Sequence, residues 1–326
     1  MSELRELDLA GCVRVRNLEP LKALNKLEVL SLSRTAVASL EGVEGLTALK
    51  RLELSNTSVV SVAALRALRS LRTLTLDRTP LADLRGLEGL TGLRVLSLEG
   101  TPVANLGPVS ALTKLESLSL GHTRVRELLP LATLKRLTTL SLVSTPVVDV
   151  AALSGCTGLT ALSLTATGVS ELRPLAGLHA LTTLQLEYTP VQDLSPLRQL
   201  AQLEVLLLSH SRAEALDSLA GLTRLKTLGL ISTGVTKLEP LAALTALERL
   251  GLDATPVRSL EPLRGALRLE TLSLAQVKVD DLSPLQALPV LRFLSVTKGL
   301  VSSEQLAAVR ASRPALEVTD PADEPW

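Results

Sequence analysis

Aromatic residues are almost missing from this sequence: Phe293, Tyr188 and Trp326 make up 1% of its 326 residues, although 46% are hydrophobic. A single large globular core normally draws much of its buried area from aromatic side chains. A core filled almost wholly by Leu, Val and Ala instead favours many identical small slots over one large irregular interior.

Cysteine and histidine are also scarce, and their scarcity limits the chemistry. Cys12 and Cys156 lie far apart in the chain, which argues against a disulfide framework. The three histidines are His122, His179 and His210, and no glycine-rich phosphate loop, metal-spaced His/Cys cluster or nucleophile elbow accompanies them. The sequence therefore predicts no enzyme, no cofactor and no metal site.

An excess of one charge and long apolar runs are lacking too. The 34 basic and 33 acidic residues leave a net charge of +1, which gives no bulk electrostatic reason to expect nucleic acid as a partner. The opening MSELRELDLAG has no basic segment before an apolar run, and no window of roughly 18 residues is apolar and uncharged. We therefore expect a cytoplasmic protein without membrane insertion, and the excess of Arg over Lys favours a bacterial source.

What the chain does contain is a repeat. Leu recurs every 22 residues without a slip, at Leu27, Leu49, Leu71, Leu93, Leu115, Leu137, Leu159, Leu181, Leu203, Leu225, Leu247, Leu269 and Leu291. Twelve consecutive units therefore span residues 27–290, after a 23-residue unit at 4–26 and before a degenerate unit that begins at 291. Positions in the repeat are numbered below from one, at these leucines, to twenty-two.

Each unit begins with the motif LxxLxLxxTxV, whose alternation is typical of a strand with the leucines at positions four and six pointing inward. Pro often follows at position sixteen, as at Pro108, with Asn or Asp three places earlier, as at Asn105. A Pro near a first helical position, with a side-chain acceptor before it, indicates a short helical turn. Because one unit cannot bury its own leucines, neighbouring units must stack.

These units resemble leucine-rich repeats of the 22-residue kind found in bacterial internalins, and the resemblance covers Leu4 to about Val318. It implies an α/β solenoid: an arc with a concave parallel β-sheet and short helical, 3₁₀ or irregular segments on the convex side. One departure is that Thr holds position nine, where the family usually has an Asn bonded to backbone between turns. We expect the Thr hydroxyls to serve the same buried backbone, with interruptions at Cys12, Ser211 and Val277.

The two ends of the chain differ. The segment SSEQLAAVRASRPALEV predicts a helix from Ser302 or Ser303 to about Ala311 and then a last strand, so that 291–318 form a degenerate repeat and cap. Residues 319–326 are expected to be a flexible tail. The first unit has no cap before it, and a partner, a second copy of the chain or an upstream segment would cover it. The sequence leaves these three coverings open.

In this repeat family ligands usually meet the concave face, at positions three, five, seven and eight. Position five is a nearly uniform strip of small residues that is broken in and around the stretch LLLSHSRAEAL. The departures come from three adjacent units and predict one partner-binding patch, called the Tyr188 patch: Gln185, Glu187, Tyr188, Leu207, His210 and Ile231. Tyr is enriched in interface hot spots. The alternative interpretation is a unit that has drifted without acquiring a function.

A second group of side chains, called the charged patch, is predicted on the same face in the early units: Arg34, Arg51, Glu53, Asp77 and Arg78. A mixed patch of this kind suits the steering of a protein partner. The sequence thus favours a non-enzymatic scaffold for protein–protein interaction that binds on the concave face. The alternatives are the recognition domain of a larger enzyme or effector chain, and an internalin-like surface adhesin.

Overall fold

The computed structural model describes residues 3–320, and its strands form a parallel sheet in which each strand neighbours the next one in the chain. Within that range the strands are β1 Glu6–Asp8, β2 Val29–Ser31, β3 Arg51–Glu53, β4 Thr73–Thr75, β5 Val95–Ser97, β6 Ser117–Ser119, β7 Thr139–Ser141, β8 Ala161–Ser163, β9 Thr183–Gln185, β10 Val205–Leu207, β11 Thr227–Gly229, β12 Arg249–Gly251, β13 Thr271–Leu274, β14 Phe293–Val296 and β15 Glu317–Thr319.

Short 3₁₀ helices connect most of the strands, and an α-helix, α1 Ser303–Ser312, lies between β14 and β15. The 3₁₀ helices of the described chain are Glu19–Leu21, Ala63–Ala67, Leu87–Gly89, Gly107–Ala111, Leu129–Thr133, Ala151–Gly155, Arg173–Leu175, Ser195–Gln199, Asp217–Leu219, Glu239–Ala243, Glu261–Gly265 and Ser283–Ala287. The chain divides into two compact units, of which the first ends at Leu162 and the second begins at Ser163. No helix within residues 3–320 has the length and hydropathy of a membrane span.

Strand pairing follows the repeat length. Leu52 lies opposite Leu74 in the first compact unit, which ends at Leu162. Leu206 lies opposite Leu228 in the second compact unit. Because the register equals the repeat, leucines of successive repeats stack into rows, and these four side chains are fully buried. Each such burial contributes about 1.5–3 kcal/mol to folding. The predicted leucine-rich repeat solenoid, with its parallel sheet and short 3₁₀ segments, is therefore confirmed.

The 3₁₀ helices begin as the Pro and Asp pattern predicted. Asp193 Oδ1 accepts a hydrogen bond from the Ser195 N–H at 2.8 Å, where Ser195–Gln199 starts with Pro in its first turn. Asn105 Oδ1 likewise accepts a hydrogen bond from the Gly107 N–H at 2.8 Å. A side-chain acceptor thus satisfies a backbone donor that the first helical turn leaves without a partner.

Thr at position nine serves the buried backbone as expected, but within its own repeat. In the second unit the Thr167 hydroxyl donates to the Leu164 carbonyl, three residues back, at 2.6 Å. The shorter Thr side chain closes its own turn instead of joining successive turns as the family's Asn does. Ser211 departs from this pattern, since its hydroxyl accepts from the Ala213 N–H at 3.4 Å.

The C-terminal helix is confirmed: Ser302 is its N-cap, and the Ser302 hydroxyl accepts from the Gln305 N–H. The predicted start of the tail is wrong by at least one residue, because Thr319 belongs to β15 and lies opposite Ser295. Residues 321–326, the rest of that predicted tail, lie outside the described residues. At the other end, Leu7 is only partly buried although Leu30 opposite is fully buried, and the three proposed coverings of the first repeat stay predictions.

Candidate partner-binding site

In the twelve repeats of residues 27–290, the chain turns after the strand at position eight, where the backbone is left-handed. The residues there have φ between 54° and 68°: Arg34, Asn56, Arg78, Gly100, His122, Ser144, Ala166, Tyr188, His210, Ser232, Ala254 and Gln276. The backbone N–H of the same residue donates to the next repeat: Tyr188 donates to the Ser209 carbonyl at 2.9 Å and His210 to the Ile231 carbonyl at 2.7 Å. The left-handed conformation therefore accompanies a hydrogen bond between successive repeats, and it recurs with many different side chains.

Tyr188 and His210 occupy position eight in adjacent repeats, and their rings stack. The ring centroids are 4.3 Å apart and the planes differ by 10°. Neighbouring strands lie about 4.8 Å apart, which brings side chains at equivalent positions into stacking range. Tyr188 nevertheless remains 60% exposed, so the pair stands on the surface of the second unit as an ordered aromatic element.

Small side chains border this stacked pair. Ala166 precedes Tyr188 at position eight of the repeat before, and Ser232 follows His210 at position eight of the repeat after. Neither side chain is large enough to cover an aromatic ring. The face of the Tyr188 ring that points away from His210 is therefore open to solvent.

Glu187, the residue before Tyr188, adds a negative charge on the same side as Ala166. Its Oε2 atom accepts a hydrogen bond of 2.7 Å from the Thr165 hydroxyl, and Thr165 is the residue immediately before Ala166. The carboxylate of Glu187 therefore leans toward the repeat of Ala166, on the side of Tyr188 opposite His210. Glu187 itself is partly buried.

The apolar members of the patch are seated against glycines. Leu207 lies opposite Gly229 in the sheet, and a Cβ atom at Gly229 would come within 3.2 Å of Leu207 Cδ2. A Cβ atom at Gly251 would likewise come within 3.3 Å of Ile231 Cγ1. Each bulky side chain thus lies over the glycine of the next repeat, and both remain partly exposed. Gln185 lies opposite Leu207 on the other side, in β9.

The structure thus brings the predicted Tyr188 patch together on adjacent repeats of the second unit, and its role in binding stays a prediction. Sequence reasoning missed the role of Gly229 and Gly251, although both stand at position five, where most other repeats have Ser. It also missed an open groove of about 660 Å³ in the same unit, lined in part by Glu214 and Asp217. Glu214 falls inside the stretch LLLSHSRAEAL, which was the signal available.

Only two side chains of the charged patch, which lies within residues 3–320, form an ion pair with each other. Arg51 pairs with Glu53 at 3.8 Å, a distance and exposure at which an ion pair contributes little. Asp77 instead accepts hydrogen bonds from neutral groups, among them the Glu99 N–H at 2.9 Å and the Ser97 hydroxyl. Arg34 and Arg78, the remaining two, lie exposed at position eight. Its role in steering a partner stays a prediction.

Cys156 and His179 lie in opposite environments. Cys156 is fully buried, and burial raises the pKa of its thiol, so that it behaves as a small apolar side chain. His179 is exposed. Within residues 3–320, no group of three or more His, Cys, Asp or Glu side chains is placed to hold a metal ion.

Comparisons with known proteins agree with this architecture. Neither protein-family models nor curated protein sequences give a match to the chain. Among solved structures, an internalin F from Listeria monocytogenes is similar with a TM-score of 0.84 and 26% identity, covering 89% of this chain and 86% of that one. A leucine-rich repeat protein from Leptospira interrogans has a TM-score of 0.80 and 20% identity, covering 98% and 96%.

A plant peptide hormone receptor in complex with RGF2 has a TM-score of 0.76 and 20% identity, covering 91% of this chain and 53% of the receptor chain. Structural similarities of this size, at sequence identities this low, establish a common fold and nothing more. The 22-residue register, the parallel sheet and these similarities together identify the chain as a leucine-rich repeat protein with a fold similar to that of the bacterial internalins.

Proposed function

We propose that the protein is a non-enzymatic scaffold that binds a protein partner on the exposed face of its sheet, at the Tyr188 patch. The observation that carries the proposal is the stacked pair of Tyr188 and His210, which is exposed and held in the left-handed backbone conformation. Tyr is enriched among the residues that dominate binding energy at interfaces.

Stability gives little reason for a large ring at position eight, because the stack on His210, about 0.5–1.5 kcal/mol, does no more than offset the cost of the left-handed backbone. A left-handed conformation costs on the order of 1 kcal/mol for a residue with a Cβ atom. Gly and Asn tolerate it best, and the fold uses both at this position, in Gly100 and Asn56. Because the bond to the next repeat needs only the backbone N–H, the Tyr188 side chain is best explained by what it contacts outside the chain.

The side chains of the patch also pack on one another and on the backbone without a partner. The Tyr188 ring is held by His210, and Leu207 and Ile231 lie against the backbone at Gly229 and Gly251. Side chains that are already fixed lose little conformational entropy on binding, which leaves more of the contact energy as affinity.

The comparisons support binding of a polypeptide, since the plant receptor was solved with RGF2 bound. The similarity to internalin F favours a second candidate, in which this chain is an internalin-like surface adhesin or the recognition domain of a larger chain. Protease treatment of intact cells separates the scaffold from the adhesin: a cytoplasmic scaffold is protected until the cells are lysed, whereas a surface adhesin is cleaved at once.

A crosslinking pull-down from the native cell tests the binding site, with wild type compared against the double variant Tyr188→Ala with Leu207→Ser. We expect a partner that the wild type captures and the double variant loses. The matched control is Leu267→Ser, because Leu267 is 55% exposed in the same unit and lies outside the patch. Unchanged thermal melts of both variants establish that folding is intact.

A partner captured equally by the wild type and the double variant would show that the Tyr188 patch is not the binding site. A partner lost equally in the Leu267→Ser control would show that capture depends on general surface hydrophobicity, which also contradicts the proposal.

A further inference from the structure

The Tyr188 ring has one face covered and one face open. His210 covers the first at a centroid distance of 4.3 Å, and the neighbour on the other side is Ala166 at the same position of the repeat. Since the side chain is 60% exposed despite the stack, the space over the small Ala166 side chain, which we call the slot, lies one strand spacing, about 4.8 Å, along from the Tyr188 ring. Because Ala166 does not fill this space, a planar group in it can stack on the ring.

The slot is bordered by an unbalanced negative charge. The Thr165 hydroxyl draws the Glu187 carboxylate to the side of Ala166, and this donor carries no positive charge that would balance the carboxylate. Among the described residues no basic side chain is paired with Glu187, whereas Glu204 in the next repeat is paired with Lys226 at 2.7 Å. An aromatic face is itself negative at its centre, so the ring and the carboxylate attract the same kind of ligand.

We propose that this slot is an anchor for an arginine side chain of the partner, an inference that rests on the proposed function. The guanidinium group stacks on the open face of Tyr188 while its N–H groups donate to the Glu187 carboxylate. Arginine fits better than lysine because its cation is planar, is weakly hydrated and presents N–H groups in a fork that matches a carboxylate.

The single tyrosine of the chain provides a direct probe. In protein labelled with ¹³C-tyrosine, the aromatic ring signals belong to Tyr188 alone. We expect N-acetyl-arginine methylamide to shift them in a saturable way, and the neutral isostere N-acetyl-citrulline methylamide to leave them nearly unchanged. Equal shifts from the two compounds would overturn the inference, because charge would then play no part.

Two substitutions locate the charge that matters. Glu187→Gln keeps a carbonyl acceptor for Thr165 but removes the charge, and we expect roughly threefold to fivefold weaker binding of the arginine compound, the size of one exposed ion-pair contact. Glu214→Gln, in the groove outside the patch, is the matched control and should leave binding unchanged. Equal binding by wild type and Glu187→Gln would overturn the assignment.

The pull-down separates failure of this inference from failure of the proposed function. If a partner is lost by the Tyr188→Ala and Leu207→Ser double variant but held equally well by Glu187→Gln, the arginine anchor is contradicted and the proposed scaffold function is not. If a partner is held by every variant, both proposals are contradicted.

Discussion

The left-handed backbone at Tyr188 makes a prediction about the relative stability of two substitutions. In an ordinary helix or strand, Gly is less stable than Ala by about 0.5–1 kcal/mol. At position eight the order should be reversed, so that Tyr188→Gly unfolds at a higher denaturant concentration than Tyr188→Ala. The reversal is expected because φ at this residue is 56°, and the bond to Ser209 holds it there.

The magnitude follows from three contributions. Both variants lose the stack on His210, which is equivalent to about 0.5–1.5 kcal/mol. Only Tyr188→Gly relieves the left-handed penalty of about 1–2 kcal/mol, and only it incurs the larger conformational entropy loss of Gly, about 0.5–1 kcal/mol. We therefore expect Tyr188→Gly to be more stable than Tyr188→Ala by about 0.5–1 kcal/mol and close to wild type in stability.

Urea unfolding followed by circular dichroism measures this difference, as a shift in midpoint at constant slope. Ala307→Gly, an exposed site inside the helix Ser303–Ser312, is the control and should be destabilised by about 1 kcal/mol. If Tyr188→Ala is more stable than Tyr188→Gly by that same amount, the penalty assigned to position eight is wrong. The argument that stability does not explain the ring would then fail with it.

Three further predictions concern the described residues. Asp253 Oδ1 accepts hydrogen bonds from the Ala275 N–H, at 2.7 Å, and from the Ser273 hydroxyl, both in the next repeat. Asp253→Ala should therefore destabilise the contact between the two repeats by about 1–2 kcal/mol, measured as faster hydrogen exchange at the Ala275 amide. Unchanged exchange would show that the carboxylate does not join the repeats. One thiol, that of exposed Cys12, should react with a disulfide reagent in the native protein, and Cys156 only after unfolding. Because burial raises the pKa of Cys156, the unfolded thiol ionises first and stability should fall as pH rises above about 9; a midpoint that stays constant there, against Cys156→Ala as reference, would contradict this.

The fold was predictable because its determinants are local and repeated. Leu at positions four and six defines the buried face of each strand, and the 22-residue period defines the register that pairs Leu206 with Leu228. Asp193 and the Pro that follows it determine where a 3₁₀ helix begins. Each of these signals lies within one repeat, so reading one repeat correctly is sufficient to read all of them.

The geometry of the candidate site was not predictable in the same way. The sequence identified Tyr188 and His210 as departures, but their stacking depends on a left-handed turn that occurs whatever residue occupies position eight. The position of the Glu187 carboxylate depends on a hydroxyl 22 residues earlier, in Thr165. The charged patch shows the converse error, since sharing a face did not bring Asp77 into a pair with an arginine.

The packing of Leu207 and Ile231 bears on whether LLLSHSRAEAL is merely a drifted repeat. Leu207 and Ile231 each reach over position five of the next repeat. A Cβ atom there would lie only 3.2–3.3 Å from the bulky side chain, which is closer than well-packed atoms normally approach. Both next repeats have glycine there, Gly229 and Gly251, where most other repeats have Ser. Two bulky residues that lacked this relief would each require a local shift of the chain. The departures are therefore mutually accommodated across three repeats, which favours the interpretation as one packed surface.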